Sequence, residues 1–138
     1  MSIRRHVFVA LFAMLGCASA LAAERAYFTA PQDGATVKSP FVAKFALEGM
    51  QIGKLGDLTP GTGHHHVIVD GGPVAKGEVI PADAAHLHFG KGQTEAELKL
   101  APGEHELTLQ FADGAHRSYG PLMSQSIKVH VARSPLAR

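Results

Sequence analysis

The chain has 138 residues, is 46% hydrophobic and 18% charged, and carries 13 Lys+Arg against 12 Asp+Glu. That length suits a single domain around one core, and a net charge of +1 offers no basic excess to hold nucleic-acid phosphates. With 15 Gly and 8 Pro, turns are frequent and long uninterrupted helices are disfavoured.

The first segment reads as a signal peptide over residues 1–22. Arg4, Arg5 and His6 precede an apolar run from Val7 to Leu15, too short to span a bilayer, and small residues follow from Ala18 to Ala23. Ala20-Leu21-Ala22 fits the A-x-A rule, which places cleavage after Ala22 and the mature protein in the periplasm or outside the cell. Cys17 is the only cysteine. It follows Leu15-Gly16 in a stretch resembling a lipoprotein cleavage box, so lipid anchoring at Cys17 is the lesser alternative. In the main reading Cys17 leaves with the signal, and neither a disulfide nor a thiolate metal site is expected. The mature chain is expected to have no transmembrane segment.

Residues 23–133 read as one domain and residues 134–138 as a disordered tail. Ala26–Ala30 is a strand closed by Pro31-Gln32-Asp33-Gly34. Phe41, Ala43, Phe45 and Leu47 alternate with Val42, Lys44, Ala46 and Glu48, the period of a half-buried strand. Gly49 to Gly63 is glycine-rich and reads as a long loop. His64–Asp70 is the next strand, and a weaker one is expected over Lys76–Ile80. Ala96, Leu98 and Leu100 alternate with charged residues before the Pro102-Gly103 turn. In the following strand His105, Leu107, Leu109 and Phe111 share one face, with Glu106, Thr108 and Gln110 on the other. Ile127, Val129 and Val131 complete the pattern, with Lys128 and His130 outward. About seven short strands between Gly/Pro turns predict an all-β, antiparallel β-sandwich of immunoglobulin-like type.

Histidine is the compositional anomaly, with 9 residues of which most are clustered. On a strand, His64 and His66 project from one face and His65 from the other. The same holds for His86 and His88, with Leu87 and Phe89 opposite. Two such pairs side by side would bring four imidazoles within reach of one ion, and imidazole suits copper(II) first and zinc(II) second. His64, His66, His86 and His88 are therefore the primary candidate ligands, with His65, His105 and His116 in reserve. Asp70 offers a carboxylate, and Met50 or Met123 a thioether. Imidazole binds metal only when neutral, so affinity is expected to fall steeply below about pH 6. The competing reading is that these histidines organise loops by hydrogen bonding, as a non-metal interaction module of the cell envelope.

Enzymatic motifs are lacking: there is no G-x-S-x-G, H-E-x-x-H or G-x-x-x-x-G-K-[ST]. Gly90-Lys91-Gly92-Gln93-Thr94 has neither the spacing nor the following helix of a phosphate loop. An H-x-H metal site with an open position is the one enzymatic route left.

Three resemblances bear on these residues. The runs Gly61-Thr62-Gly63-His64-His65-His66-Val67-Ile68-Val69-Asp70, His88-Phe89-Gly90-Lys91-Gly92-Gln93-Thr94-Glu95 and Leu100-Ala101-Pro102-Gly103-Glu104-His105 resemble a small exported bacterial family. It is known only as the domain of unknown function numbered four-three-nine-nine. The likeness continues through Leu107–Phe111, Asp113, His116 and Pro121, with Tyr119 standing near where relatives often carry a second His. It implies an exported compact β domain and no established activity. Ala30–Val37 resembles the opening of periplasmic immunoglobulin-like domains, copper-resistance carriers among them. Their N-terminal His ligand has no counterpart here. His64-x-His66-x3-Asp70-x6-Gly77 and Pro81-x-Asp83-x2-His86 are similar to the two metal motifs of the cupin barrel, which would imply a metalloenzyme.

The sequence thus points to an exported β-sandwich binding copper or zinc as a carrier or buffer. An interaction module and a cupin-like metalloenzyme are the alternatives.

Overall fold

The computed structural model describes residues 22–135. The expected signal segment up to Leu21, Cys17 within it, and the last three residues of the expected tail lie outside the described residues.

Alternating apolar and polar side chains at a period of two dictate strands that bury one face. Nine strands form among the described residues: β1 (Arg25–Ala30), β2 (Ala35–Lys38), β3 (Phe41–Glu48), β4 (Gln51–Ile52), β5 (Thr62–Val69), β6 (His86–His88), β7 (Glu95–Leu98), β8 (Gly103–Ala112) and β9 (Ser124–Ala132). One 3-10 turn, Pro121–Met123, precedes β9. The all-β expectation holds. The short strands β2 and β4 add to those read from the sequence, and the expected Lys76–Ile80 strand is reduced to a single bridge between Val79 and Arg117.

Two sheets face each other. One has the order β1-β3-β7; the other has the order β2-β9-β8-β5-β4, with β6 also pairing to β5. Most pairs are antiparallel, while β2 joins β9 and β4 joins β5 in parallel. Phe28, Ala43, Phe45 and Leu98 of the smaller sheet pack against Val67, Leu107, Leu109, Phe111, Ile127 and Val129 of the larger. Burying each large side chain of this set contributes about 1.5–3 kcal/mol. The sheets do not close into one barrel, which removes the cupin architecture. The second cupin-like motif fails locally as well, because Asp83 accepts a hydrogen bond from the His86 ring at 2.7 Å.

The central strand β5 departs from the simple sandwich pattern. It is buried from Thr62 through Ile68, on both faces. Val67 faces the core between the sheets, so the strand's alternation puts His64, His66 and Ile68 on the outer face. The segments after β5 and after β8 fold back over that face. Thr108 Oγ1 donates to the Gly71 carbonyl at 2.7 Å, Val74 N–H donates to Gln110 Oε1 at 3.0 Å, and Gln110 Nε2 donates to the Gly120 carbonyl at 3.0 Å. Thr108 and Gln110, expected on a polar outward face, are thereby fully buried with their hydrogen bonds made.

Candidate metal centre

Three elements bring four imidazoles together on this covered outer face. His64 and His66 stand two apart on β5, which is hydrogen-bonded along both edges, to β8 and to β6. His88 comes from β6, where the antiparallel register sets it directly opposite His66. His116 comes from the turn after β8. One nitrogen from each of the four rings lies within 4.8 Å of the others. His88 Nε2 is 3.0 Å from His64 Nε2 and 3.1 Å from His116 Nε2. Ring centroids are 4.8 Å apart for His64 and His66, and 5.1 Å for His66 and His88.

The turn bearing His116 is tightly determined. Asp113 Oδ1 accepts from the N–H groups of Ala115 at 2.8 Å and Arg117 at 2.9 Å. The His116 N–H donates to the Asp113 carbonyl at 2.9 Å, and its carbonyl accepts from Ile80 N–H at 2.9 Å. His116 itself adopts a left-handed conformation at φ 64°, a cost of order 1 kcal/mol or more that the surrounding bonds sustain. Two glycines make room for the site. A Cβ at Gly90 would fall 2.6 Å from His88 Nε2, and a Cβ at Gly63 would overlap the Ala112 carbonyl where β5 meets the end of β8.

Burial is the main reason these rings are held neutral. It pushes His64 down to about 4 and His66 to about 3, with the neighbouring imidazoles adding to both shifts. His88 is also lowered, by burial first and by His116 second. Neutral imidazole is the ligating form, so protons compete little with a metal ion here.

Hydrogen bonding alone leaves this cluster incomplete. A ring nitrogen of neutral imidazole carries either one N–H or one lone pair. His88 Nε2 therefore cannot make a full hydrogen bond to both His64 and His116, although both approach to about 3 Å. His64 Nδ1 and His66 Nδ1 are buried with no partner, each a penalty of about 1–3 kcal/mol. A cation accepting one lone pair from each ring resolves the central contacts. Four nitrogens around tetrahedral zinc lie roughly 3.3 Å apart, a value bracketed by the observed 3.0 Å approach and the 4.8 Å limit. The group can hold a metal ion.

A family profile described as Domain of unknown function (DUF4399) matches residues 43–132. The chain belongs to this family. The DUF4399 match spans all four clustered histidines. No curated protein matches the chain. Among solved structures it is similar to the endo-beta-1,4-mannanase from Thermotoga petrophila, at 18% identity and a TM-score of 0.48. That likeness covers 80% of this chain and 20% of the mannanase, so the chain spans about a fifth of that protein's length, an overlap too loose to carry an activity across.

The other candidate residues of this DUF4399 domain are placed elsewhere. His86 lies opposite Ile68, one pleat beyond His88, and its Nδ1 is taken by Asp83. His116 fills the place expected of His86. His65 points the opposite way from its neighbours, packed against Phe45 and Phe111 at 5.3 and 5.1 Å between centroids. His105 has both ring nitrogens engaged, with Asp70 at 2.9 Å and the Ala101 carbonyl at 2.8 Å. Burial opposes its charged form, but Asp70 and that carbonyl outweigh it and raise the His105 pKa. Asp70 is thereby committed to His105 and to the Glu106 N–H. Met123 is buried in the core and Met50 packs against it, so neither thioether belongs to the cluster. Tyr119 donates to the Thr62 carbonyl at 2.6 Å, bracing the start of β5. The supporting roles of Asp113 and Gly90 were not singled out by sequence reasoning. An Asp two to four residues before the amides it caps was the available signal for Asp113.

Proposed function

We propose that this protein binds a divalent transition metal ion, copper(II) or zinc(II), through His64, His66, His88 and His116, and serves as a carrier or buffer. The observation that carries this reading is His88 Nε2 lying about 3 Å from two other imidazole nitrogens at once, a contact set that one cation satisfies and one proton does not. An all-imidazole set suits divalent copper or zinc, and copper(II) stands highest in the affinity series for nitrogen sites. Four protein ligands make a filled shell for tetrahedral zinc, which favours holding over Lewis-acid chemistry at an open position. Export to the periplasm or beyond is supported by Arg4-Arg5, the Val7–Leu15 run and Ala20-Leu21-Ala22.

Titration calorimetry of the metal-free protein with Cu(II) and Zn(II), beside a His64→Ala/His66→Ala variant, tests the proposal. One-to-one binding that the variant loses is the expected result. Weak, unsaturable binding shared by both proteins would leave the cluster as a loop-organising feature of an interaction module.

A further inference from the structure

The four imidazoles fall into two unlike pairs. His64 and His66 are 0% and 2% exposed, and they stand on a strand paired on both edges. His88 is exposed and His116 half-buried. Their supports differ as well: β6 is three residues long and pairs only with β5, while His116 stands outside the ladders, in a turn held by Asp113. One side of the cluster is therefore rigid and dry, while the other is wet and lies on short elements.

Resting on the metal-binding reading, we propose that His64 and His66 are retained ligands and that His88 and His116 are exchange ligands, through which an incoming donor takes the ion directly from the protein. In the exchange, one metal–nitrogen bond to His88 or His116 breaks as one bond to the incoming donor forms. The released imidazole keeps its lone pair, the metal keeps its charge and its four donors, and no electrons are transferred. A second such substitution leaves the ion shared between His64 and His66 and two donors of the acceptor. The acceptor is thus a molecule offering at least two nitrogen or sulfur donors on an accessible surface or chain. A site with all four ligands buried could release its ion only by opening first.

The kinetics distinguish the two routes. Protein loaded with one equivalent of Zn(II) is mixed with excess 4-(2-pyridylazo)resorcinol, and the coloured zinc complex is followed by stopped flow. The expected release rate rises in proportion to chelator concentration, because the chelator attacks the bound ion. His88→Ala and His116→Ala are expected to weaken Zn(II) binding without abolishing it and to release zinc about tenfold faster or more, within the range of changes made around metal sites. His66→Ala is expected to lose stoichiometric binding. A rate independent of chelator concentration in the unmodified protein overturns the exchange proposal while leaving metal binding intact, and this measurement requires no variant to fold. Loss of all binding in both His88→Ala and His116→Ala overturns it equally. Failure of the unmodified protein to take up Zn(II) or Cu(II) overturns both the proposal and the reading beneath it.

Discussion

His65 shows how strongly direction along a strand decides a residue's role. Its neighbours on either side join the cluster, yet its own ring is sealed between Phe45 and Phe111 with neither nitrogen hydrogen-bonded. Removing two unpartnered polar atoms recovers desolvation free energy that outweighs the lost ring contacts. His65→Leu is expected to raise unfolding stability by about 1 kcal/mol in urea titrations, without changing metal stoichiometry. A destabilised variant would show that the ring's packing matters more than its unpaired nitrogens. Gly90 has the converse role, since its lack of a side chain leaves space for His88. Gly90→Ala is expected to weaken Zn(II) binding about 10–100-fold by displacing that ring. Unchanged affinity in calorimetry would mean the ring relocates at no cost.

At the scale of elements, the site depends on register and on one turn. The β5–β6 pairing sets His88 against His66 and His86 against Ile68. A slip of two residues would exchange the two histidines without changing which face they occupy. The turn after β8 depends on Asp113, whose carboxylate holds two backbone amides. Asp113→Ala is expected to cost about 1 kcal/mol of stability, as for other lost backbone caps, and to weaken metal binding about tenfold as His116 is freed. Equal affinity in the variant would show that the turn is held by its backbone bonds alone.

Across the whole molecule, the buried histidines make folding depend on pH. His64 and His65 titrate near 4 and His66 near 3 in the folded chain, against about 6.5 when unfolded. Between those values the unfolded state binds more protons, so stability is fully present above about pH 6.5 and declines as pH falls toward 4. His105 acts in the opposite sense: its raised pKa adds stability at low pH that is lost as pH rises through the raised value. His88 is lowered too, so four histidines against one set the net direction. The metal-free protein is expected to lose on the order of 5–10 °C in melting temperature between pH 7 and pH 4.5. A flat profile over that interval would mean that the buried rings do not stay neutral in the folded chain. Added Zn(II) is expected to raise the melting temperature at pH 7 with its logarithm of concentration, and an unchanged midpoint would count against the metal-binding reading. The sharp loss of affinity expected below about pH 6 moves to lower pH for the inner pair, because burial has already depressed their proton affinity.

Alternation alone made β3, β8 and β9 legible, and it correctly separated His64 and His66 from His65, because a strand's side chains have a fixed period of two. It likewise put Leu87 and Phe89 opposite His88, against the core. The strands β2 and β4 were not legible: four and two residues carry too little periodicity to stand out from a turn. Nor was the burial of Thr108 and Gln110, since their covering segments have no repeating pattern and are held by single hydrogen bonds from distant residues. The choice between His86 and His88 was decided only by register, and that of His116 only by a turn closing over a neighbouring strand. Local chemistry set which residues could ligate and which face each occupied; long-range pairing, which no local pattern encodes, set which four meet.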